Sequence, residues 1–327
     1  MTTQSPTEQS PTAGHHPPPA AVATAIVIGL TAVLAILAIA FALPATKSKP
    51  NDVPIGIAGP QAATGQVAAM LDQKAPGAFS VTYYPGAESL REAILDRQVY
   101  GGLAFGADGP QLLTATGASP AVAQLLTQIG TGIGAQTGAP PAIEDLVPLS
   151  PSQSAGLAAS ALPITLAAIL PAFALVFALK DQVWTRFAAA VAFSALMGVT
   201  IAALLRYPLG SVEQNFWGVA GGLTLGIGAA LLFMLGLGSL FGKVGLGIGA
   251  LLAVLIGNPL SGLTSAPEML PAGWGALGQL LPQGANATLL RSTAYFGGSG
   301  AGLAIVVLAC WALAGTVLVG IAAARRT

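Results

Sequence analysis

Few side chains in this sequence could do chemistry, and most of them lie between residues 52 and 145. Among the carboxylates of that stretch, Asp72, Glu88, Glu92, Asp96 and Asp108 could include the pair needed for general acid–base work. They stand beside Lys74, Arg91 and Arg97, at spacings that read as solvated helix faces and turns. The stretch holds no histidine, no cysteine and no Gly-x-Ser-x-Gly elbow, so serine hydrolysis has no support. His15 and His16 form a two-residue tract that could meet a metal, but they sit in a Pro-, Ser- and Thr-rich tail read as disordered. Cys310, the single cysteine, falls in an apolar run and reads as a small buried hydrophobe. "GSLFGKV", 238–244, superficially resembles a phosphate loop. It places three residues rather than four between Gly238 and Gly242, and Val244 follows Lys243 where Ser or Thr is required. The reading is therefore a non-enzyme with no metal, no cofactor and no nucleotide site of its own.

The elements that must hold these residues are set by composition. Hydrophobic residues make up 54% of the chain and charged residues 7%, against roughly 25% charged in a soluble domain. Most of the surface must then face lipid. The zero net charge gives no case for nucleic acid. Six segments are apolar enough to span: 21–43, 157–179, 187–205, 218–241, 244–265 and 301–324. The first is longer than a signal-peptide core and lacks a preceding Lys or Arg, so it reads as an uncleaved anchor after a tail over 1–20. No ionisable group lies inside any of the six. This disfavours a proton- or sodium-driven transporter, which needs an intramembrane carboxylate. Lys180, Arg186, Lys243, Arg325 and Arg326 on one side outnumber Lys47, Lys49, Arg206 and Arg291 on the other, which places both termini in the cytoplasm.

Residues 44–156 alternate in pattern and predict an extracytoplasmic α/β domain, βαβαββα, with one layer of helices on a sheet. Pro148 and Pro151 make 143–156 a stiff tether into the membrane. The predicted fold class is an α-helical polytopic membrane protein of six transmembrane helices with this domain inserted after the first. Residues 157–327 form the five-helix part. Within it, Gly218, Gly222 and Gly226, then Gly238 and Gly242, then Gly245 and Gly249, step by four. Such spacing lets helices approach closely, within one chain or across a homodimer seam.

Residues 257–300 break the membrane pattern. Pro259, Pro267, Pro271 and Pro282 cut them into short pieces, two of them amphipathic: one carries Trp274, Leu277 and Leu281, the other Leu289, Ser292 and Phe296, with Arg291 able to reach lipid headgroups. The expectation is a shallow re-entrant or interfacial cap on the outer face. Glu268 and Arg291 are its only charged groups and are expected to orient it or to hold a headgroup. An Asn-Ala-Thr triplet at 286–288 is assigned no role.

Gly257-Asn258-Pro259, Pro267 with Glu268, Leu270-Pro271, Leu281-Pro282 and Leu290-Arg291 resemble the segment before the last helix in type 2 ABC exporter permeases. They resemble more closely the actinobacterial, phage-infection-protein-like (Pip-like) class, which shares one span, a large outer domain and five further spans. "DRQVYGGLAFG", 96–106, is similar to a helix-to-strand step in that outer domain. The resemblance implies a permease-like subunit in the bacterial inner membrane. It would move an amphipathic or lipid-like substrate outward, as a homodimer and with a separate ATP-binding subunit. Lys180, Asp181, Trp184 and Arg186, in the short loop "KDQVWTR", are the residues that could present to such a partner. Two departures stand out: that loop is very short, and no amphipathic helix precedes the first span. The rival expectation is a non-transporting membrane protein whose outer domain binds envelope components or another membrane protein.

Overall fold

The structure is a computed structural model that describes residues 18–107 and 109–325. Most of the tail with His15 and His16, and also Asp108 and Arg326, lie outside the described residues. The chain is mostly helical with one small sheet. Five helices are long and apolar enough to cross a membrane, the architecture of a membrane protein.

Helix α1 (Pro19–Thr46) is built from Ala, Ile, Leu and Val, and it is exposed along almost its whole length. Its fully helical backbone leaves no polar group for lipid to satisfy. Among its described side chains only Pro44, near its end, is buried.

The sheet domain follows as β1 (Val53–Ala58), α2 (Gln61–Lys74), β2 (Phe79–Tyr84), α3 (Ala87–Leu95), β3 (Gly101–Gly106), β4 (Gly109–Thr114), α4 (Pro120–Thr137) and β5 (Ala142–Asp145). Strand order is β2-β1-β3-β4-β5, and only the β3–β4 pair is antiparallel. The single helix layer expected from the sequence is corrected. β1 lies between β2 and β3, so the crossovers through α2 and α3 run in opposite directions across the sheet. With right-handed connections they end on opposite faces. Val67 and Leu71 of α2 and Val122 and Leu126 of α4 pack with Val53, Ile55 and Ile57 on one side. Leu90, Ala93 and Ile94 of α3 pack with Ala58, Ala104 and Leu113 on the other.

The stiff tether is corrected too. Residues 142–145 form the edge strand β5, held where the Arg91 guanidinium donates to both Glu144 carboxylate oxygens at 2.7 and 2.8 Å. The Asp145 carboxylate accepts from the Thr116 amide and hydroxyl and from the Val147 amide. Pro151 opens helix α5 (Pro151–Ala159) instead of preventing it, because a first-turn proline loses no intrahelical bond. Ser150 and Gln153 cap it reciprocally. Replacing Ser150 by Ala is expected to raise amide exchange in the first turn of α5 about fivefold, matching the ~1 kcal/mol of a lost cap. Unchanged exchange there would show that the cap does not hold the helix.

α5 meets α6 (Ala161–Ala178) at Ser160. Pro163 cannot donate to the Ala159 carbonyl, and its ring crowds that oxygen, which accounts for the break. α7 (Val183–Arg206) and α8 (Phe216–Leu252) follow, and a π-turn over Ala253–Gly257 continues α8. α8 is not one rod. At Gly242 the backbone takes φ 59° and ψ −136°, and the helix doubles back on itself. Gly249 then lies against Met234, Gly245 against Leu237, and Gly238 against Leu246. In a straight helix Met234 and Gly249 would stand about 22 Å apart. The last elements are a 3₁₀ turn (Pro267–Met269), α9 (Trp274–Gln279), α10 (Pro282–Tyr295) and α11 (Gly302–Ala324).

The glycines singled out in the sequence face neighbours within the chain, apart from the turn. Gly222 meets Leu289, a Cβ on Gly226 would collide with Asn286, and Gly218 sits under the capping Asn215. Gly242 supplies the reversal, and a Cβ there would point into open space. A further close approach involves a glycine outside that set: a Cβ on Gly315 of α11 would run into the backbone of Leu232 and Phe233 on α8. Cys310 is corrected from buried to exposed, on the outer face of α11.

Candidate functional site

The sheet domain does not hang free. Residues 257–300, the cap, contribute to its cores. Ala266 and Met269 pack into the α2/α4 face of the sheet, and Phe296 packs into the α3 face. The backbone continues the contact. The Lys49 amide donates to the Met269 carbonyl at 3.1 Å, and the Asn51 amide to the Glu268 carbonyl at 2.9 Å. The Asn51 side-chain amide reaches the Leu270 carbonyl at 2.8 Å.

Between the two parts lies a cavity of about 320 Å³ whose polar lining includes Arg97, Tyr100, Glu268, Gln279 and Thr288. Arg97 reaches it from the end of α3. The Arg97 amide bonds the Ile94 carbonyl and the Gln98 amide the Ala93 carbonyl, the bond pair that closes a helix with a left-handed residue after its cap. Glycine usually takes that position. Here Arg97 takes it, at φ 59°. One guanidinium nitrogen, Nη1, donates to the Thr288 carbonyl at 3.2 Å and the Ser292 hydroxyl at 2.5 Å, and the guanidinium lies 5.3 Å from the Phe296 ring centre. Arg97 is thus corrected from a solvated neighbour of Asp96 to a part-buried clamp on α10.

Tyr100 starts the turn into β3, and its hydroxyl donates to Glu268 Oε2 at 2.8 Å. Burial, then the Glu268 carboxylate, push the phenol well above its ordinary range, so it stays protonated and donates. Burial lowers the Arg97 guanidinium from its usual value. No ion pair joins Arg97 to Glu268, although both line the same cavity.

Arg291 does not reach outward. It is 5% exposed, and its guanidinium donates to the Gly262 carbonyl at 2.9 Å, the Leu263 carbonyl at 2.5 Å and the Ser265 carbonyl at 3.1 Å. Burial pushes it down to about 10, so it remains charged at neutral pH. The headgroup role expected for Arg291 is corrected to a brace for the 262–265 turn. α10 is buried over most of its length between α8, α11 and the sheet domain, rather than lying amphipathically at an interface. Asn286 of the unassigned triplet is buried within it.

Asn258 accepts from the Thr165 hydroxyl at 2.7 Å, tying the cap to α6. Pro259 lines a second cavity beside α1, Pro271 a third under the end of α1, and Pro282 opens α10. The cap therefore brings Glu268 to the sheet domain, whereas Arg291 and Pro282 serve its internal structure and Asn258 ties it to α6.

At the other end of the bundle, the 180–186 loop divides in two. Trp184 is 61% exposed, edge-on to Phe187. Arg186 is 1% exposed, with its guanidinium on the Leu179 and Lys180 carbonyls and the Ser239 hydroxyl. Presentation of Arg186 to a partner is corrected to a clamp between this loop and α8. Lys180 and Asp181 lie beside it at the surface.

Arg97 and Tyr100 are the site residues that sequence reasoning missed. The one available signal was a helix ending at "LDRQ" with no glycine to close it. No protein-family model, curated protein or solved structure matches the chain.

Proposed function

We propose that this chain is a permease-like subunit of an ABC-type exporter, moving an amphipathic or lipid-like substrate outward with ATP hydrolysed by a separate subunit. The observation that carries the reading is the space beside α1. That helix stands almost unpacked, and a groove of about 500 Å³ opens between its end, the start of α6 and the cap. Phe41, Leu162 and Leu270 give it apolar walls, and Asn258 and Thr264 give it a polar end. An amphipathic molecule matches that order: tail along α1, head against the cap.

In this reading the two limbs of α8 make separate crossings, for six in the bacterial inner membrane. Both termini are cytoplasmic and the sheet domain is extracytoplasmic. The second limb stays helical only to Gly257, about 22 Å from Gly242 and short of the ~30 Å hydrocarbon core. The non-helical 258–265 turn completes it, sheltered by α6 and α10 as membrane depth requires. The Trp184 loop and the Gly242 reversal then share the cytoplasmic end and offer the face for an ATPase. Fusion of the sheet domain to the cap through Ala266, Met269 and Phe296 favours one working unit over a free binding module.

The test is purification from native membranes in mild detergent, followed by an ATPase assay. A stoichiometric nucleotide-binding partner is expected, and its stimulation by this chain should fall about tenfold in Trp184→Ala if the side chain makes a buried contact with that partner. A chain that repeatedly purifies alone, or with envelope proteins and no ATPase, would overturn the export reading in favour of a binding role for the sheet domain.

A further inference from the structure

We infer that the cavity between Arg97 and Glu268 binds the zwitterionic headgroup of a phosphoethanolamine-type lipid, with phosphate on Arg97 and ammonium on Glu268. The inference does not rest on the export reading. It requires only that α11 lie in a membrane.

The cavity holds one fixed cation and one fixed anion that do not pair with each other. Each has unused capacity. Arg97 docks α10 through Nη1 alone, and its Nε and Nη2 make no hydrogen bond among the described residues. Glu268 spends Oε2 on Tyr100, and its Oε1 has no hydrogen-bond partner among them. An unpaired anion or cation alone would leave the other group unanswered, whereas a group carrying both charges satisfies the two together. Gln279 and Thr288 on the cavity wall are already bonded to each other at 2.6 Å, so the open charge capacity is that of Arg97 and Glu268.

Backbone strain points the same way. Arg97 occupies a left-handed position where glycine would be relaxed. Docking through one nitrogen leaves the rest of the guanidinium facing the cavity, and strained positions of this kind cluster where a side chain is used.

The mouth of the cavity identifies the source of the headgroup. Gly300 and Leu303 line it, and Leu303 opens the membrane-length helix α11. Leu303 is 66% exposed, and Val306, one turn further along α11, is exposed as well. A headgroup in the cavity therefore has an apolar helix face directly beneath it for its acyl chains. A soluble molecule would leave that continuity unused.

The experiment uses the full chain in detergent with added phosphatidylethanolamine, phosphatidylglycerol or phosphatidylcholine. It reads lipid retained by native mass spectrometry and the shift in Tm. Wild type is expected to retain phosphatidylethanolamine about tenfold over the other two, the ratio that ~1.4 kcal/mol supplies. Glu268→Gln keeps an acceptor for Tyr100, so the fold is preserved. It should lose the preference for phosphatidylethanolamine over phosphatidylglycerol. Arg97→Asn, whose side chain tolerates the left-handed backbone, should lose retention of both. Equal retention of the three lipids by wild type, or a preference unchanged in Glu268→Gln, overturns the inference. Glycerophosphoethanolamine raising Tm as far as the lipid does would uphold the zwitterion chemistry and overturn the lipid as its source.

Discussion

Replacing Arg291 by Met is expected to destabilise the protein by about 3–5 kcal/mol, the cost of two or three carbonyls left without a donor at ~1–3 kcal/mol each. Arg291 is the brace for three consecutive-region carbonyls, those of Gly262, Leu263 and Ser265, and the first two belong to buried residues. Methionine fills the volume but leaves those acceptors without a donor, and a buried unsatisfied group carries its full desolvation penalty. The 262–265 turn also leads directly into Ala266, a fully buried residue of the sheet-domain core. Loss of the brace should therefore loosen two contacts at once, between cap and bundle and between cap and sheet. The measurement is thermal unfolding in detergent with size-exclusion readout, alongside proteolysis near Thr264. A Tm within about 2 °C of wild type, with no new cleavage, would mean that the carbonyls find water and that the brace is dispensable.

Gly315→Leu should be nearly as damaging, by about 3 kcal/mol, toward the upper end for overpacked sites. The added side chain meets backbone of Leu232 and Phe233, not the movable end of a side chain. The two helices must separate, and Gly236, which packs on Leu318 from the opposite side, loses its contact with them. Lipid offers no hydrophobic drive to pull them together again, because tails solvate leucine as well as a neighbouring helix does. Gly320→Leu is the control on the same helix. Nothing lies within 4 Å of its Cβ position, and its effect should stay within about 0.5 kcal/mol. Equal behaviour of the two variants would remove close α8–α11 packing as the reason for Gly315.

The sequence makes its long-period features plain. Apolar runs, glycine steps and strand alternation are averaged over many residues, so β1 to β4 and the apolar helices stand close to where they were expected, except that the segment 244–265 is helical only to Gly257. The failures are local. β5 has four residues, it pairs with β4, and its side-chain tie, Arg91 to Glu144, joins residues far apart in sequence. A short exposed strand stabilised by a distant ion pair has no periodicity to detect. Pro151 misled because one residue type both ends and begins helices, and the capping Ser150–Gln153 pair decided between them. The cavity was half legible. Glu268 stood out as a lone acid in an apolar cap, but its hydroxyl donor, Tyr100, comes from a different domain. Arg97 looked like any charge after a helix. Its position depends on a left-handed backbone angle that its own residue type disfavours, and on α10 arriving from the far end of the chain.

The interlock between sheet and cap has a consequence for biosynthesis. The strands that make the sheet are complete when Asp145 leaves the ribosome, but Ala266, Met269 and Phe296, which close its two faces, are made only after α5 to α8. At ordinary elongation rates that gap is on the order of ten seconds. For that time each face of the nascent domain is packed on its own helices but lacks its last apolar contacts from the cap, an interval longer than a hairpin or helix needs to form by several orders of magnitude. The domain therefore reaches its final packing only as the chain enters the last apolar helix, α11.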